Sequence, residues 1–72
     1  MTEQEKIAIL AECMDVDESE LELSTILADF DEWDSVAALS LIAAMDENFG
    51  KTIEAADIKK LVTVEDVIKI ME

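Results

Sequence analysis

The chain has no histidine, no proline, one glycine and one cysteine. Without histidine it lacks the base of a Ser–His or Cys–His nucleophile pair and the imidazole ligand common in zinc sites. The single thiol, Cys13, cannot form an internal disulfide, which favours a reducing compartment. We interpret Cys13 as a small buried apolar residue of a helix rather than a reactive thiol. Any chemistry on this chain must therefore use hydroxyls, carboxylates or a group attached from outside.

Long apolar runs and basic residues are also scarce. No stretch approaches the ~20 apolar residues that span a bilayer, and we expect no signal peptide. Five basic residues against 19 acidic ones give a formal net charge of −14. Such a surface argues against binding nucleic acid or an anionic membrane. We therefore expect a cytoplasmic protein whose partners are proteins with basic patches.

The composition suits one small domain. Hydrophobic residues make up 51% of the 72 residues, which is too apolar for a disordered acidic tail. Helical spacing of apolar residues recurs along the chain, whereas alternating strand patterns are scarce. We predict an all-α fold, a small antiparallel four-helix bundle of three longer helices and one short helix. Residues 1–72 are expected to form a single domain, and the protein is expected to be a monomer.

Capping signals set the predicted helix boundaries. The helices are expected to run from the Thr2 cap to near Asp15, from Asp34-Ser35 to Gly50, over residues 55–60, and from the Thr63 cap onward. The inward side of the second helix is predicted to be Ala38, Leu41, Ile42, Met45 and Phe49. Met14, Met45 and Met71 are interpreted as core residues.

A long connector, from Val16 to Trp33, separates the first two helices. Carboxylates accumulate in it, and five apolar side chains are expected to fix it on the core: Leu21, Leu23, Ile26, Leu27 and Phe30. Its start resembles a calcium loop but has Glu20 where glycine is needed and Ile26 where glutamate is needed. We therefore reject a calcium loop and predict no specific metal site. We expect the connector to be ordered, because a structureless loop of this length is unusual in a compact domain.

The segment Trp33-Asp34-Ser35-Val36 is the candidate functional motif. In one interpretation, Asp34 or Ser35 simply caps the second helix. In another, Ser35 is modified, because a phosphate ester at a helix start meets unpaired amides and the positive end of the helix dipole. The residues alone leave both interpretations open.

Three segments together resemble the acyl carrier proteins, over essentially the whole chain: residues 27–36, 46–50 and 63–67. The resemblance implies that Ser35 receives a 4'-phosphopantetheine arm from coenzyme A through a phosphodiester bond. It also implies that a magnesium-dependent phosphopantetheinyl transferase attaches the arm, with Asp34 helping to position the metal in that complex. The arm's thiol would hold acyl or aminoacyl groups as thioesters, so the chain would be a carrier and not an enzyme.

Partner recognition in that family centres on the helix that follows the serine. The resemblance places a docking face at Val36, Ser40, Ala43, Asp46 and Glu47. Trp33 either packs the connector onto the bundle or contacts the arm or a partner. The implied partners are the transferase, an acyl- or aminoacyl-loading ligase, and downstream transferase or condensing enzymes with basic docking patches.

Two departures from the fatty-acid carriers refine this expectation. The helix has no acid after Ser35 until Asp46, and Trp33 stands where a small residue is usual. Both favour a stand-alone carrier of a specialised pathway over one of fatty-acid synthesis. The alternative is an unmodified acidic helical module that binds partners non-covalently.

Overall fold

Four α-helices make up the computed structural model, which describes all 72 residues. They are α1 (Glu3–Met14), α2 (Ser35–Phe49), α3 (Ala55–Ile58) and α4 (Val64–Ile70). The connector between α1 and α2 contains two 3-10 turns, Glu18–Glu20 and Leu27–Asp29. The predicted small helical bundle with one short helix and a long first connector is confirmed. None of these helices has the length and apolar character that crossing a bilayer requires.

Reciprocal hydrogen bonds start α1 and α4 at the predicted threonines. The Glu5 amide donates to Thr2 Oγ1 at 3.2 Å, and the Thr2 amide donates to Glu5 Oε1 at 3.0 Å. In α4, the amides of Val62 and Thr63 donate to Asp66 Oδ2 at 2.9 and 3.1 Å. The backbone hydrogen bond from Thr2 lowers the pKa of Glu5, and the one from Thr63 lowers the pKa of Asp66. These carboxylates therefore stabilise helix starts.

Left-handed residues end the two longest helices. Gly50 has φ 62° and ends α2, and its amide donates to the Asp46 carbonyl at 3.0 Å. Asp15 has φ 57° and ends α1, which makes it the one non-glycine residue with positive φ. Both predicted ends are confirmed. The short helix ends earlier than predicted, at Ile58 instead of residue 60.

The helices and the connector share one hydrophobic core. The side chains with no exposed surface come from all of these segments except α3: Leu10, Leu27, Leu41, Met45, Val64 and Val67. Met14 and Met71 are also buried, as predicted. On α2, Ala37 is buried, whereas Ala38 lies at the edge of the core with Ile42 and Phe49. The predicted inward side is thus correct for Leu41 and Met45. At the start of the helix the buried residue is Ala37 instead of the predicted Ala38.

The connector is attached to the core through both side chains and backbone. Leu21 and Leu27 are buried, and Phe30 packs partly buried against the core. Leu23 and Ile26 are exposed instead, so the prediction that they fix the connector on the core is wrong.

Backbone pairing explains the exposure of Ile26. Ile26 forms an isolated antiparallel bridge with Thr63, the Leu27 amide donates to the Val62 carbonyl at 2.9 Å, and the Val64 amide donates to the Thr25 carbonyl at 3.0 Å. In such extended backbone, successive side chains point to opposite sides. Leu27 therefore enters the core while its neighbour Ile26 faces solvent.

Replacing Leu27 by alanine tests whether the buried residue of the connector contributes more to stability than its exposed residues do. Leu27→Ala is expected to lower the free energy of unfolding by about 2–5 kcal/mol, because it leaves a cavity in the core. Leu23→Ala is the matched control and should cost about 0.5 kcal/mol or less, because that side chain is already exposed. Urea unfolding followed by circular dichroism measures both values. Equal losses would contradict this account of the connector.

Candidate functional site

Ser35 is the first residue of α2, and its side chain is exposed. The helix starts there because Asp34 is extended, with φ −127° and ψ −169°, and its Oδ1 accepts a 3.0 Å hydrogen bond from the Ala37 amide. The Asp34 carbonyl accepts a further 3.0 Å bond from the Ala38 amide. The capping role therefore belongs to Asp34, and the hydroxyl of Ser35 is not needed for it.

The backbone turns sharply just before this helix. The Trp33 amide donates to the Phe30 carbonyl at 3.1 Å, which closes a turn at the end of the connector. Both aromatic side chains are half-buried and pack against the core. Trp33 thus packs the connector onto the bundle, as one of its two predicted roles requires, and the turn fixes the approach of the chain to Ser35.

A cleft of about 460 Å³ opens beside Ser35. Its apolar lining includes Trp33, Ile58 and Leu61, so the connector and the α3 region form two of its walls. Lys59 is the one basic residue in the lining, which it shares with Ser35. The volume lies in the range of small-molecule clefts, about 300–1,000 Å³.

The electrostatics around Ser35 differ between its two sides. The connector places exposed carboxylates on one side, at Asp31, Glu32 and Asp34. The first turn of α2 contains no acid, and its leading amides have no partners within the helix. A phosphate ester on Ser35 fits this position, because a helix start favours an anion.

The side of α2 next to Ser35 is apolar and faces solvent. Val36 and Leu39 are each 68% exposed, and Ala43 is exposed as well. Leu39 is absent from the predicted docking face, although a spacing of three or four residues from Val36 and Ala43 places it on the same side of a helix. Helical spacing was therefore the signal that could have found it.

The remaining residues of the predicted docking face occupy different environments. Asp46 and Glu47 are exposed near the end of α2, whereas Ser40 is half-buried. Trp33 lies before the helix, at the cleft. The structure thus arranges an apolar patch close to Ser35 with acids at the far end of α2.

Cys13 is predicted to be buried, but its thiol is only half-buried. Burial, and secondly the charge of Glu12, raise the pKa of this thiol. A protonated thiol is a poor nucleophile. No group of three or more His, Cys, Asp or Glu side chains is arranged to hold a metal ion.

Comparison with known proteins identifies what this site belongs to. The sequence model of the family described as "Phosphopantetheine attachment site" matches residues 7–71. The chain belongs to this family of phosphopantetheine-binding carrier proteins. An acyl carrier protein of Petrotoga mobilis is 32% identical over 63 residues, which are 88% of this chain and 74% of that protein. No solved structure matches the chain significantly.

Membership confirms two expectations from the sequence. The family is that of the acyl carrier proteins, and its prosthetic group is 4'-phosphopantetheine. Proteins of this carrier family are carriers rather than catalysts and interact with enzymes such as transferases and synthases. The exposed hydroxyl of Ser35, the acid-free first turn of α2 and the cleft beside them fit this group.

Proposed function

We propose that this chain receives its 4'-phosphopantetheine arm on Ser35 and presents acyl or aminoacyl groups, held as thioesters on the arm, to partner enzymes. The position of Ser35 supports this proposal most directly, because its exposed hydroxyl opens α2 beside a cleft. The other serines are Ser19 and Ser24 in the connector and Ser40 within α2. None of these three combines an exposed side chain, a helix start and a cleft.

Attachment would be a phosphoryl transfer to Ser35 Oγ. The oxygen forms a new bond to the phosphorus that bears pantetheine, the pyrophosphate bond of coenzyme A breaks, and the adenosine bisphosphate leaves. The hydroxyl proton passes to a base of the transferase. When bound, the arm supplies a reactive thiol, which Cys13 does not offer because its pKa is raised.

The carrier itself would catalyse nothing. A tethered intermediate reaches each partner's active site at a high effective concentration, so binding between carrier and enzyme can stay weak. This division of labour fits a chain without histidine. Its single thiol, which cannot form an internal disulfide, favours the cytoplasm as the place of action.

The docking surface is the exposed side of α2, which we extend to include Leu39. Its exposed residues on α2 are Val36, Leu39, Ala43, Asp46 and Glu47. The proposed surface also includes the half-buried Ser40 and Trp33, which precedes the helix. Its partners would be the phosphopantetheinyl transferase, an acyl- or aminoacyl-loading ligase, and downstream transferase or condensing enzymes with basic patches. Because the centre of the surface is apolar, we expect apolar packing as well as charge to contribute to the binding of partner enzymes. This pattern favours a carrier of a specialised pathway.

Removing the Ser35 hydroxyl tests the attachment site. After co-expression with a broad-specificity phosphopantetheinyl transferase, intact-mass measurement should show the arm on the wild type and none on Ser35→Ala. Ser24→Ala, which removes an exposed serine of the connector outside the docking surface, is the matched control and should be modified fully. An arm that persists on Ser35→Ala would contradict the site. An unmodified wild type that binds a partner equally well after Ser35→Ala would favour the non-covalent interaction module.

Two substitutions separate the roles of Asp34. Asp34→Ala removes the helix cap and should cost about 1 kcal/mol of unfolding free energy, whereas asparagine keeps the capping oxygen and should change it little. If the carboxylate also helps to position the transferase's metal, Asp34→Asn should slow modification roughly 10- to 100-fold in a folded protein. Urea unfolding and timed mass measurements give the two values. Modification of Asp34→Asn at the wild-type rate would leave Asp34 as a cap alone.

Leu39→Ala tests the docking surface. It removes exposed apolar area and introduces a residue with high helix propensity, so stability should change little. The KM of the transferase for the protein should rise on the order of tenfold with kcat unchanged, because binding alone is weakened. Val62→Ala, an exposed apolar residue away from α2, is the control. Equal KM values for the two variants would exclude Leu39 from the surface.

A further inference from the structure

The five lysines of this acidic chain occupy distinct places. Lys51 Nζ donates a 3.2 Å hydrogen bond to the carbonyl of Ile70, Lys6 lies on α1 and Lys69 lies on α4. Lys59 and Lys60 are exposed next to each other at the end of α3. Of all five, only Lys59 lines the cleft beside Ser35.

A phosphate on Ser35 needs a counter-charge at this position. The neighbouring connector presents the carboxylates of Asp31, Glu32 and Asp34, which repel an additional anion. The amides of the first turn of α2 offset part of this repulsion. Lys59 is the one cation that shares a cleft with Ser35, and its flexible stem allows the ammonium group to follow the phosphate.

The lining of the cleft suits the part of the arm that follows the phosphate. That part is a short branched aliphatic chain with a gem-dimethyl carbon. Trp33, Ile58 and Leu61 offer apolar surface next to Ser35, and Trp33 is already fixed by its turn with Phe30. Besides the Asp34 carboxylate, the lining of the cleft thus offers one cation for the phosphate and apolar surface for the branched hydrocarbon.

We propose that Lys59 pairs with the phosphate of the arm on Ser35 and positions the first half of the arm in this cleft, against Trp33. This inference rests on the proposed attachment at Ser35. Lys59 is here a positioning residue: it keeps the arm in the cleft while the loaded carrier is not bound to a partner. A partner whose docking patch is basic competes with Lys59 for the same phosphate and so releases the arm on binding.

Neutralising each of the two adjacent lysines tests the pairing. Wild type, Lys59→Gln and Lys60→Gln are prepared with and without the arm, and intact mass establishes full modification. Trp33 is the one tryptophan, so its emission reports on the cleft. Attachment of the arm should change this emission in the wild type and in Lys60→Gln. In Lys59→Gln the ratio of arms placed in the cleft to arms in solvent, measured from this emission change, should fall roughly 1.5- to 5-fold, because an exposed ion pair is lost.

Salt provides a second readout that needs no enzyme activity. Raising the ionic strength from about 0.01 M to about 1 M shortens the Debye length from about 30 Å to about 3 Å. The emission change and the ³¹P shift of the phosphodiester should then move toward the Lys59→Gln values in the wild type and in Lys60→Gln.

The outcomes distinguish this inference from the function on which it rests. A modified protein in which Lys59→Gln and Lys60→Gln behave alike overturns the pairing and leaves the carrier function intact. Attachment that leaves Trp33 emission unchanged in the wild type overturns the placement of the arm in the cleft. Absence of an arm from Ser35 in the wild type overturns both proposals.

Discussion

The hydrogen bond from the Ala37 amide to Asp34 Oδ1 is the interaction on which the site depends. It sets the residue at which extended backbone becomes helix, and it therefore makes Ser35 the first helical residue. From that start, helical periodicity directs Leu41 and Met45 into the core and leaves Val36 and Leu39 in solvent. A start one residue later would place the Ser35 hydroxyl in the connector, outside the turn whose amides favour an anion. One short contact thus couples the fold to the candidate attachment point.

The large negative charge has a structural use as well as a functional one. Five carboxylates accept backbone amides at the starts of helices or 3-10 turns: Glu5, Glu20, Asp34, Asp57 and Asp66. Because such bonds satisfy donors that a helix start leaves unpaired, part of the acidity stabilises the fold. The exposed side of α2 near Ser35 is the contrasting region, with apolar side chains and no acid in its first turn.

Sequence reasoning succeeded where the signal is local. Thr2, Asp34, Gly50 and Thr63 mark helix ends through contacts within a few residues, so their roles could be predicted from spacing alone. It failed where the answer depends on distant residues. The exposure of Ile26 follows from its pairing with Thr63, which no local pattern reveals.

Other features escaped prediction for related physical reasons. The sequence could not show that Ala37, and not Ala38, is the buried residue, because two adjacent alanines do not differ in size or hydrophobicity. The cleft at Ser35 depends on where α3 packs, and with it the placement of Lys59. Such tertiary placement is invisible to a periodicity argument, even when every helix is located correctly.

The bridge between Ile26 and Thr63 also has a consequence for how the chain folds. The backbone hydrogen bonds within α1 and α2 join residues a few positions apart. By contrast, Leu23, Thr25 and Leu27 of the connector can acquire their backbone partners only after residues 62–65 are in place. Bringing Ile26 and Thr63 together closes a long loop of chain, and this costs conformational entropy before the pairing compensates for it. The wall of the cleft is therefore completed by the last third of the chain, so a nascent chain that ends after α2 contains Ser35 but not the surroundings that define its site.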